Sequence, residues 1–208
     1  MKKFNFYNLF YIFIFGSVFG WFVEGLYTLI KKGLLINHSA LVIGPFNIVY
    51  GIGAVLLTLI LLKHKDSSYI KLFLISFVFG TILEYILSLS MEFLVGFTAW
   101  DYSKKFLNIN GRVALFYSLF WGLLGIIWIK LCYPYVIKII NKINVGVGKK
   151  LMIFLIIFLI FDTVLTFSAI DRARECDLGI APANSYEKFL DKTFNSKYLK
   201  NMFNNRWK

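Results

Sequence analysis

Four acidic residues interrupt runs of apolar residues that are otherwise long enough to cross a membrane: Glu24, Glu84, Glu92 and Asp162. A charge at the centre of a transmembrane helix costs about 2.5–3.5 kcal/mol on insertion scales. Such a residue therefore usually faces the protein interior or a water-filled cavity, where it has a partner or a function. We expect the function of this chain to lie at this acidic cluster.

The spacing of the acids relates them to the loops at one membrane face. Glu84, Ser88 and Glu92 follow one another at four-residue intervals, so they form one polar stripe on a helix. The loop that carries Asp101 and Arg112 opens onto the same face. A guanidinium group suits bidentate contact with a carboxylate, so we expect Arg112 to pair with Glu92 or Asp101.

These residues together predict a polar funnel that runs from one surface to mid-membrane. Its candidate substrate- or ion-binding residues are Glu24, Glu84, Ser88, Glu92, Asp101, Arg112 and Asp162. Proton coupling would be natural, because intramembrane acids serve in proton relays. The structural alternative is a set of internal ion pairs and interhelical hydrogen bonds that lock the bundle.

Other chemistry leaves no signature in the chain. His38 lies in a loop and belongs to no His-Glu-x-x-His pattern, so we read it as an interfacial polar residue and predict no metal site. Cys132 and Cys176 have no ligand or disulfide spacing. We assign no catalytic residue and expect no cofactor.

The composition is that of an integral membrane protein. Of the 208 residues, 59% are hydrophobic and only 16% are charged, whereas soluble domains are about 45–50% apolar and about 25% charged. The net charge of +12 comes mostly from loops and the C-terminal part, where it suits anionic lipid headgroups. We therefore expect lipids as partners and no nucleic acid, and the composition does not indicate an oligomeric state.

The apolar runs predict an all-α bundle of about five membrane-spanning helices. Each run is near or above the roughly 17–25 residues that cross the hydrocarbon core. We place the transmembrane domain at residues 1–170 and a basic amphipathic tail at 171–208, with spans at about 7–30, 46–62, 70–97, 113–131 and 151–170.

Three segments between and after the spans have their own signatures. The stretch Gly33–Gly44 is too short to span, which predicts an interfacial or re-entrant segment. Pro134 should end or kink the fourth helix, with a surface helix after it. In the tail, Phe194, Tyr198 and Met202 repeat every four residues, as do Leu199, Phe203 and Trp207, and this pattern predicts a short helix lying on the membrane surface.

Several strings resemble a bacterial family of membrane proteins. They are GWFVEGLY (20–27), GPFNIVYG (44–51), LEYILSLSMEFLVGFTAWDYS (83–103) and NINGRVALFYSLFWGLLG (108–125), and residues 172–194 are similar to the C-terminal end of that family. The family is described as Putative ABC-transporter type IV. The resemblance implies a multi-pass protein of the bacterial cytoplasmic membrane that works as the permease partner of an ATPase.

The chain itself contains no G-x-x-x-x-G-K-[ST] motif, so it cannot hydrolyse ATP by a P-loop route, and the ATPase would be a separate subunit. Two other functions remain open. An intramembrane enzyme acting on a lipid-linked substrate would use Glu92 or Asp101 as general acid or base and Arg112 to hold a phosphate. A non-catalytic membrane partner protein would keep its acids for structural reasons. Transport is the function that we favour.

Overall fold

The computed structural model describes residues 5–35, 37–95, 98 and 100–203. Within these ranges the chain is almost entirely helical. The helices are α1 (Phe6–Lys32), α2 (Ile48–Leu61), α3 (Tyr69–Val95), α4 (Leu115–Ile127), α5 (Tyr133–Lys142), α6 (Val145–Asp177), α7 (Ser185–Thr193) and α8 (Ser196–Met202). A short antiparallel hairpin of β1 (Asn108–Ile109) and β2 (Val113–Ala114) precedes α4. The predicted all-α membrane bundle is confirmed.

Four helical segments are long and apolar enough to cross a membrane: Phe6–Lys32, Tyr69–Phe93, Leu115–Lys142 and Val145–Asp177. The predicted second span corresponds to a shorter apolar helix, Ile48–His64, whose last turn is 3₁₀. The predicted third span ends at Phe97, which lies outside the described residues. Many large apolar side chains are exposed on the outer faces of the long helices, as expected for a surface in contact with lipid.

Helix starts and stops follow local chemistry. Asparagine side chains accept hydrogen bonds from backbone amides at the starts of α1, α6, α7 and α8, where the first amides of a helix lack helical partners. Gly33 ends α1 with a φ of +67°, a left-handed conformation that glycine adopts without strain. Helices α1 to α5 together form the main apolar core, in which Ile12, Leu61 and Leu72 are fully buried.

Pro134 does not stop the fourth span. A π-helical segment, Trp128–Cys132, precedes α5, and Pro134 occupies the first turn of α5. In the first turn of a helix, the missing N–H of proline would have no helical partner in any case. The helical path therefore continues from Leu115 to Lys142, and Val136 and Ile140 of α5 are buried in the main core.

The tail folds back onto α6. Leu190 of α7, Leu199 of α8 and Phe203 are each at most 3% exposed and share a second apolar core with Ala169 and Ile170 of α6. The helices are amphipathic as predicted, but these apolar side chains cover α6, whereas the pattern suggested a helix spread flat on the membrane. Trp207, which belongs to the predicted apolar repeat, lies outside the described residues.

Candidate functional site

A cavity of about 140 Å³ lies between α1, α2, α3 and α4, next to the segment that precedes β1. Its walls combine aromatic rings with two carboxyl groups. The lining residues are Val23, Glu24, Tyr27, Asn47, Val49, Tyr50, Glu84, Trp100, Tyr102, Phe116, Tyr117, Phe120 and Trp121. Four helices therefore contribute to one site, and the predicted acids Glu24 and Glu84 both face it.

Glu24 is held from two sides. The hydroxyl group of Tyr50 on α2 donates a hydrogen bond of 2.7 Å to Glu24 Oε1. His38, in the segment between α1 and α2, places Nδ1 3.9 Å from Glu24 Oε2. Burial lowers the pKa of His38, which outweighs the opposing effect of the Glu24 carboxylate. His38 is therefore mostly neutral at pH 7, and Glu24 is fixed by hydrogen bonding more than by an ion pair.

One carboxyl oxygen of Glu84 can accept a further hydrogen bond or a proton. Its residue is 6% exposed, and the hydroxyl group of Tyr102 donates a hydrogen bond of 3.2 Å to Glu84 Oε1. The other oxygen, Oε2, is buried and makes no hydrogen bond of good geometry to a described residue, although the indole N–H of Trp121 also approaches the Glu84 carboxyl group. A buried carboxyl oxygen without a partner carries a desolvation cost of about 1–3 kcal/mol or more. A proton or a bound ligand at Oε2 would remove that cost.

The segment that carries Tyr102 is fastened to the predicted polar stripe of α3. Arg112 forms the expected ion pair with Glu92 and donates a second hydrogen bond, 3.3 Å long, to Ser88 Oγ. Trp100 Nε1 donates to the backbone oxygen of Arg112 at 2.6 Å. Tyr102 of the same segment is hydrogen-bonded to Glu84, the third residue of the stripe. All three stripe residues therefore contact this one segment.

Asp101 stabilises the same segment through a hydrogen bond inside it. Its Oδ1 accepts a hydrogen bond of 2.9 Å from the backbone amide of Ser103. Tyr102 N donates to Gly111 O at 2.7 Å, and Asn110 and Gly111 both have positive φ values that close the tight turn between β1 and β2. Asp101 and Arg112 thus shape the cover of the cavity and do not line it.

Asp162 lies at a different place. It is fully buried on α6, and its Oδ1 accepts a hydrogen bond of 3.1 Å from the backbone amide of Ile43. One turn later, Thr166 Oγ1 accepts from the amide of Val42 at 3.0 Å. These two contacts hold the Gly33–Gly44 segment, predicted to be interfacial or re-entrant, against α6. Asp162 belongs to this anchor and does not line the cavity.

The predicted site residues therefore occupy three places. Glu24 and Glu84 meet at the cavity, Asp162 anchors a loop, and the rest fasten the cover: Ser88, Glu92, Asp101 and Arg112. A run of intramembrane acids indicates that each one needs a partner, but it does not tell which of them share one. The distribution follows from helix rotation and from the path of the loops.

Sequence reasoning did not foresee the aromatic part of the site. Tryptophan and tyrosine are residue types that often anchor a protein at the membrane interface, yet Trp100 and Tyr102 line the cavity. The rings of Tyr102 and Tyr117 stack with centroids 4.0 Å apart and an interplanar angle of 9°. Burial raises the pKa of Tyr102 far above its ordinary value, and the Glu84 carboxyl raises it further. Tyr102 is therefore protonated at physiological pH and serves Glu84 as a donor.

A repeated motif would have pointed to the pairing of the two acids. The pattern Val-Phe-Gly-x-x-x-Glu occurs at residues 18–24 of α1 and again at 78–84 of α3. In both copies the glycine precedes the acid by one helical turn, so glycine and acid share a helix face. Glu24 and Glu84 are the last residues of the two copies.

The contacts around the two copies correspond as well. A Cβ atom on Gly20 would overlap the ring of Tyr50 from α2, and one on Gly80 would overlap the side chain of Trp121 from α4. Tyr50 and Trp121 themselves stack with centroids 5.7 Å apart. Two helical hairpins, α1–α2 and α3–α4, therefore present an acid and an aromatic ring in the same arrangement.

The correspondence extends along the hairpins. A Cβ atom on Gly51 of α2 would meet the ring of Phe13, and one on Gly122 of α4 would meet the ring of Phe73. Phe13 and Phe73 stand at the same distance before the motif in α1 and α3. Close helix packing in each hairpin thus relies on the same pairing of a small residue with a ring.

Comparison with known families places the chain. The model of the family described as Putative ABC-transporter type IV matches residues 11–167. The chain belongs to this family. The matched range includes both copies of the motif, all residues that line the cavity and Asp162. No curated protein and no solved structure matches the chain significantly.

Membership in this family and the long apolar helices identify a multi-pass membrane protein of an ABC-transporter-like family. Within the family-matched range, the candidate site lies at one end of the bundle, where the C-terminal parts of α1 and α3 meet the N-terminal part of α4. Helices α7 and α8 lie beyond residue 167.

Proposed function

We propose that this protein is the permease component of a bacterial cytoplasmic-membrane transporter and that its substrate or coupling ion binds in the cavity between α1 and α4. The observation that carries the proposal is the meeting of Glu24 and Glu84, from corresponding positions of two helical hairpins, at one cavity. In many transporters, substrate and ion sites lie where internal repeats meet.

Glu84 is the principal binding residue of this proposal. Glu84 lines the cavity, and its buried Oε2 makes no hydrogen bond of good geometry to a described residue; Asp162 Oδ2 is in the same state but lies away from the cavity. Glu24 and Glu84 line the same cavity, so their charges repel when both are ionised. One positive charge between them, a proton or a cationic group, would relieve that repulsion.

The family description supports an ATPase as the energy-supplying partner. The chain has no P-loop motif, so we propose that ATP hydrolysis occurs on a separate subunit. Anionic lipid headgroups would contact the basic loops, which carry the excess positive charge.

The enzymatic alternative receives less support from the geometry. A lipid-phosphate enzyme would need a free guanidinium group to hold the phosphate. Arg112 instead pairs with Glu92, contacts Ser88 and lies over the ring of Tyr85, with its centre 5.8 Å from the ring centroid. We therefore assign Arg112 to the cover of the cavity.

The test is affinity purification in mild detergent, with mass spectrometry of bound proteins and small molecules. Three forms are compared: wild type, Glu84→Gln at the cavity, and Asp66→Asn, which removes a carboxylate from an exposed turn. Glutamine keeps the size of Glu84 but removes its charge and its proton exchange.

We expect an ATPase with a P-loop sequence to co-purify with all three forms. A retained small molecule should be present with wild type and Asp66→Asn and lost from Glu84→Gln, while thermal unfolding stays unchanged. Absence of any ATPase from wild type would overturn the coupling to ATP. A Glu84→Gln protein that retains the same molecule would overturn the binding role and favour a scaffold.

A further inference from the structure

The walls of the cavity have a chemical bias beyond their two acids. Eight of the thirteen lining residues are aromatic, and none of those described there is basic. The remaining polar lining residue besides the tyrosines and the acids is Asn47. An anionic ligand would face two carboxyl groups in a lining that has no basic side chain, so the lining disfavours phosphates and carboxylates.

Aromatic faces carry negative electrostatic potential and attract cations that lie over them. The paired rings Tyr102–Tyr117 and Tyr50–Trp121 border the cavity on two sides of Glu84. At the rim, Lys31 Nζ donates a hydrogen bond of 3.0 Å to the hydroxyl group of Tyr27, another lining residue, and lies 5.3 Å from the centroid of its ring.

The cavity suits an organic cation better than a bare metal ion. Hard metal ions take six or more oxygen ligands, and no group of three or more potential metal-ligating side chains occurs among the described residues. Glu24 Oε1 is occupied by Tyr50, which leaves few oxygens free to converge. An organic cation brings apolar surface of its own, which aromatic walls cover favourably.

The size of the cavity restricts the ligand further. Its volume of about 140 Å³ is close to that of an engineered apolar cavity of about 150 Å³ that binds benzene. A substituted ammonium ion of similar bulk fits this space, whereas an extended lipid or peptide does not. The positive centre would rest near Glu84 Oε2, the oxygen that makes no hydrogen bond of good geometry to a described residue.

We infer that the cavity binds a small organic cation, an amine or quaternary ammonium compound, between the aromatic pairs and next to Glu84. This inference rests on the proposed permease function, for which it names the substrate class. Glu84 supplies the neutralising charge, Glu24 adds long-range attraction, and the rings exclude water from the ligand.

The test measures binding to the intact protein in lipid nanodiscs by tryptophan fluorescence and by calorimetry. Trp100 and Trp121 line the cavity and therefore report on its occupancy. The probes are tetramethylammonium, choline and 3,3-dimethylbutan-1-ol, which has the shape of choline but no charge. Potassium chloride at matched ionic strength controls for unspecific screening.

We expect the two cations to bind and the alcohol to bind at least tenfold more weakly. Glu84→Gln should weaken choline binding at least tenfold, and Asp66→Asn should not change it. Tyr117→Leu, which removes one ring of an aromatic pair, should bind choline several-fold more weakly than wild type does. A melting curve of each variant checks that the fold is intact.

Three outcomes separate this inference from the proposed function. Failure of both cations to bind at millimolar concentrations, or equal binding of choline and the alcohol, would overturn the inference. If the purification experiment still shows an ATPase and a Glu84-dependent neutral or anionic ligand, the permease proposal survives without it. Choline binding without any ATPase partner would leave the cation site standing and remove the transport role.

Discussion

The ring of Tyr50 fills the space beside Gly20, and its hydroxyl group reaches Glu24 Oε1 one helical turn further along α1. The glycine therefore does more than allow two helices to approach. It sets the position of the donor that orients one of the two acids in the cavity. Gly80 and Trp121 stand in the same relationship beside Glu84.

Gly20→Ala should displace Tyr50 and destabilise the protein. The added methyl group would overlap the ring, and overpacking of this kind costs about 1–3 kcal/mol. Thermal unfolding in detergent measures the loss. The double variant Gly20→Ala/Tyr50→Gly removes Cβ and Cγ of Tyr50, the atoms nearest to the added methyl group, and should lose less stability than the two single variants added together. Additive losses in the double variant would contradict the proposed contact.

Arg112→Ala should loosen the cover of the cavity while leaving the bundle folded. The ion pair with Glu92 is partly exposed, with 49% of the Glu92 side chain accessible, so its loss should cost only about 1 kcal/mol or less. Amide hydrogen exchange should rise in residues 100–114 and stay unchanged in α6. Arg112→Ala in a Glu92→Gln background should have a smaller effect, and an undiminished effect would show that the pair is not the main contact.

Asp162 should tolerate loss of its charge but not loss of its acceptor. Asp162→Asn keeps an oxygen for the amide of Ile43, so we expect near wild-type stability. Asp162→Ala leaves that buried amide unsatisfied, which costs about 1–3 kcal/mol. Melting curves of the two variants make the comparison. Equal destabilisation by both would mean that the charge, and not the loop contact, is what Asp162 provides.

Acid should weaken the docking of α7 onto α6. Arg172 holds the pKa of Asp191 below its ordinary value through hydrogen bonds of 2.8 and 3.1 Å, and the Cys176 thiol adds a smaller effect in the same direction. A lowered folded pKa means that this stabilisation is complete above the ordinary aspartate pKa, about 3.9, and is lost as pH falls through the lowered value.

Hydrogen exchange of α7, corrected for the intrinsic effect of pH, measures this loss. Asp191→Asn should show raised exchange in α7 already at neutral pH, because Arg172, which is only 4% exposed, then loses a charged partner. Unchanged exchange in Asp191→Asn would show that the remaining partners of Arg172, which are Glu175, Glu187 and Ile180, are sufficient.

The sequence was sufficient to predict the bundle, because hydropathy and length determine which helices cross a membrane. The expected contact of Arg112 with Glu92 is also present, since stripe spacing and a nearby fixed cation leave few other solutions. The effect of Pro134 was harder to foresee. A proline in the first turn of a helix and one in its interior look alike until the preceding π-helical segment is known.

The site could be predicted only in part. Glu24 and Glu84 were recognisable as intramembrane acids. That Asp162 lies away from them depends on the contacts of α6 with the loop at Val42 and Ile43. The path of such a loop depends on tertiary packing and leaves no periodic pattern in the sequence. Trp100 and Tyr102 were present in the sequence as interface-type residues, and their places in the cavity wall depend on hydrogen bonds to Arg112 and Glu84. Two other wall residues, Tyr50 and Trp121, are positioned by packing against Gly20 and Gly80.

The second apolar core also determines which segments of the protein lie on the same side of the membrane. Val42, from the loop next to the cavity, packs in that core with Leu199 of α8. The α7–α8 unit and the entrance loops of the cavity therefore share one face of the membrane. A small epitope inserted at Asn195, between the two helices, would report by antibody access in intact cells whether the binding cavity starts from the outside or from the cytoplasm. Under the proposed permease function, the location of that one tag would show from which side of the membrane a ligand reaches the cavity in this conformation.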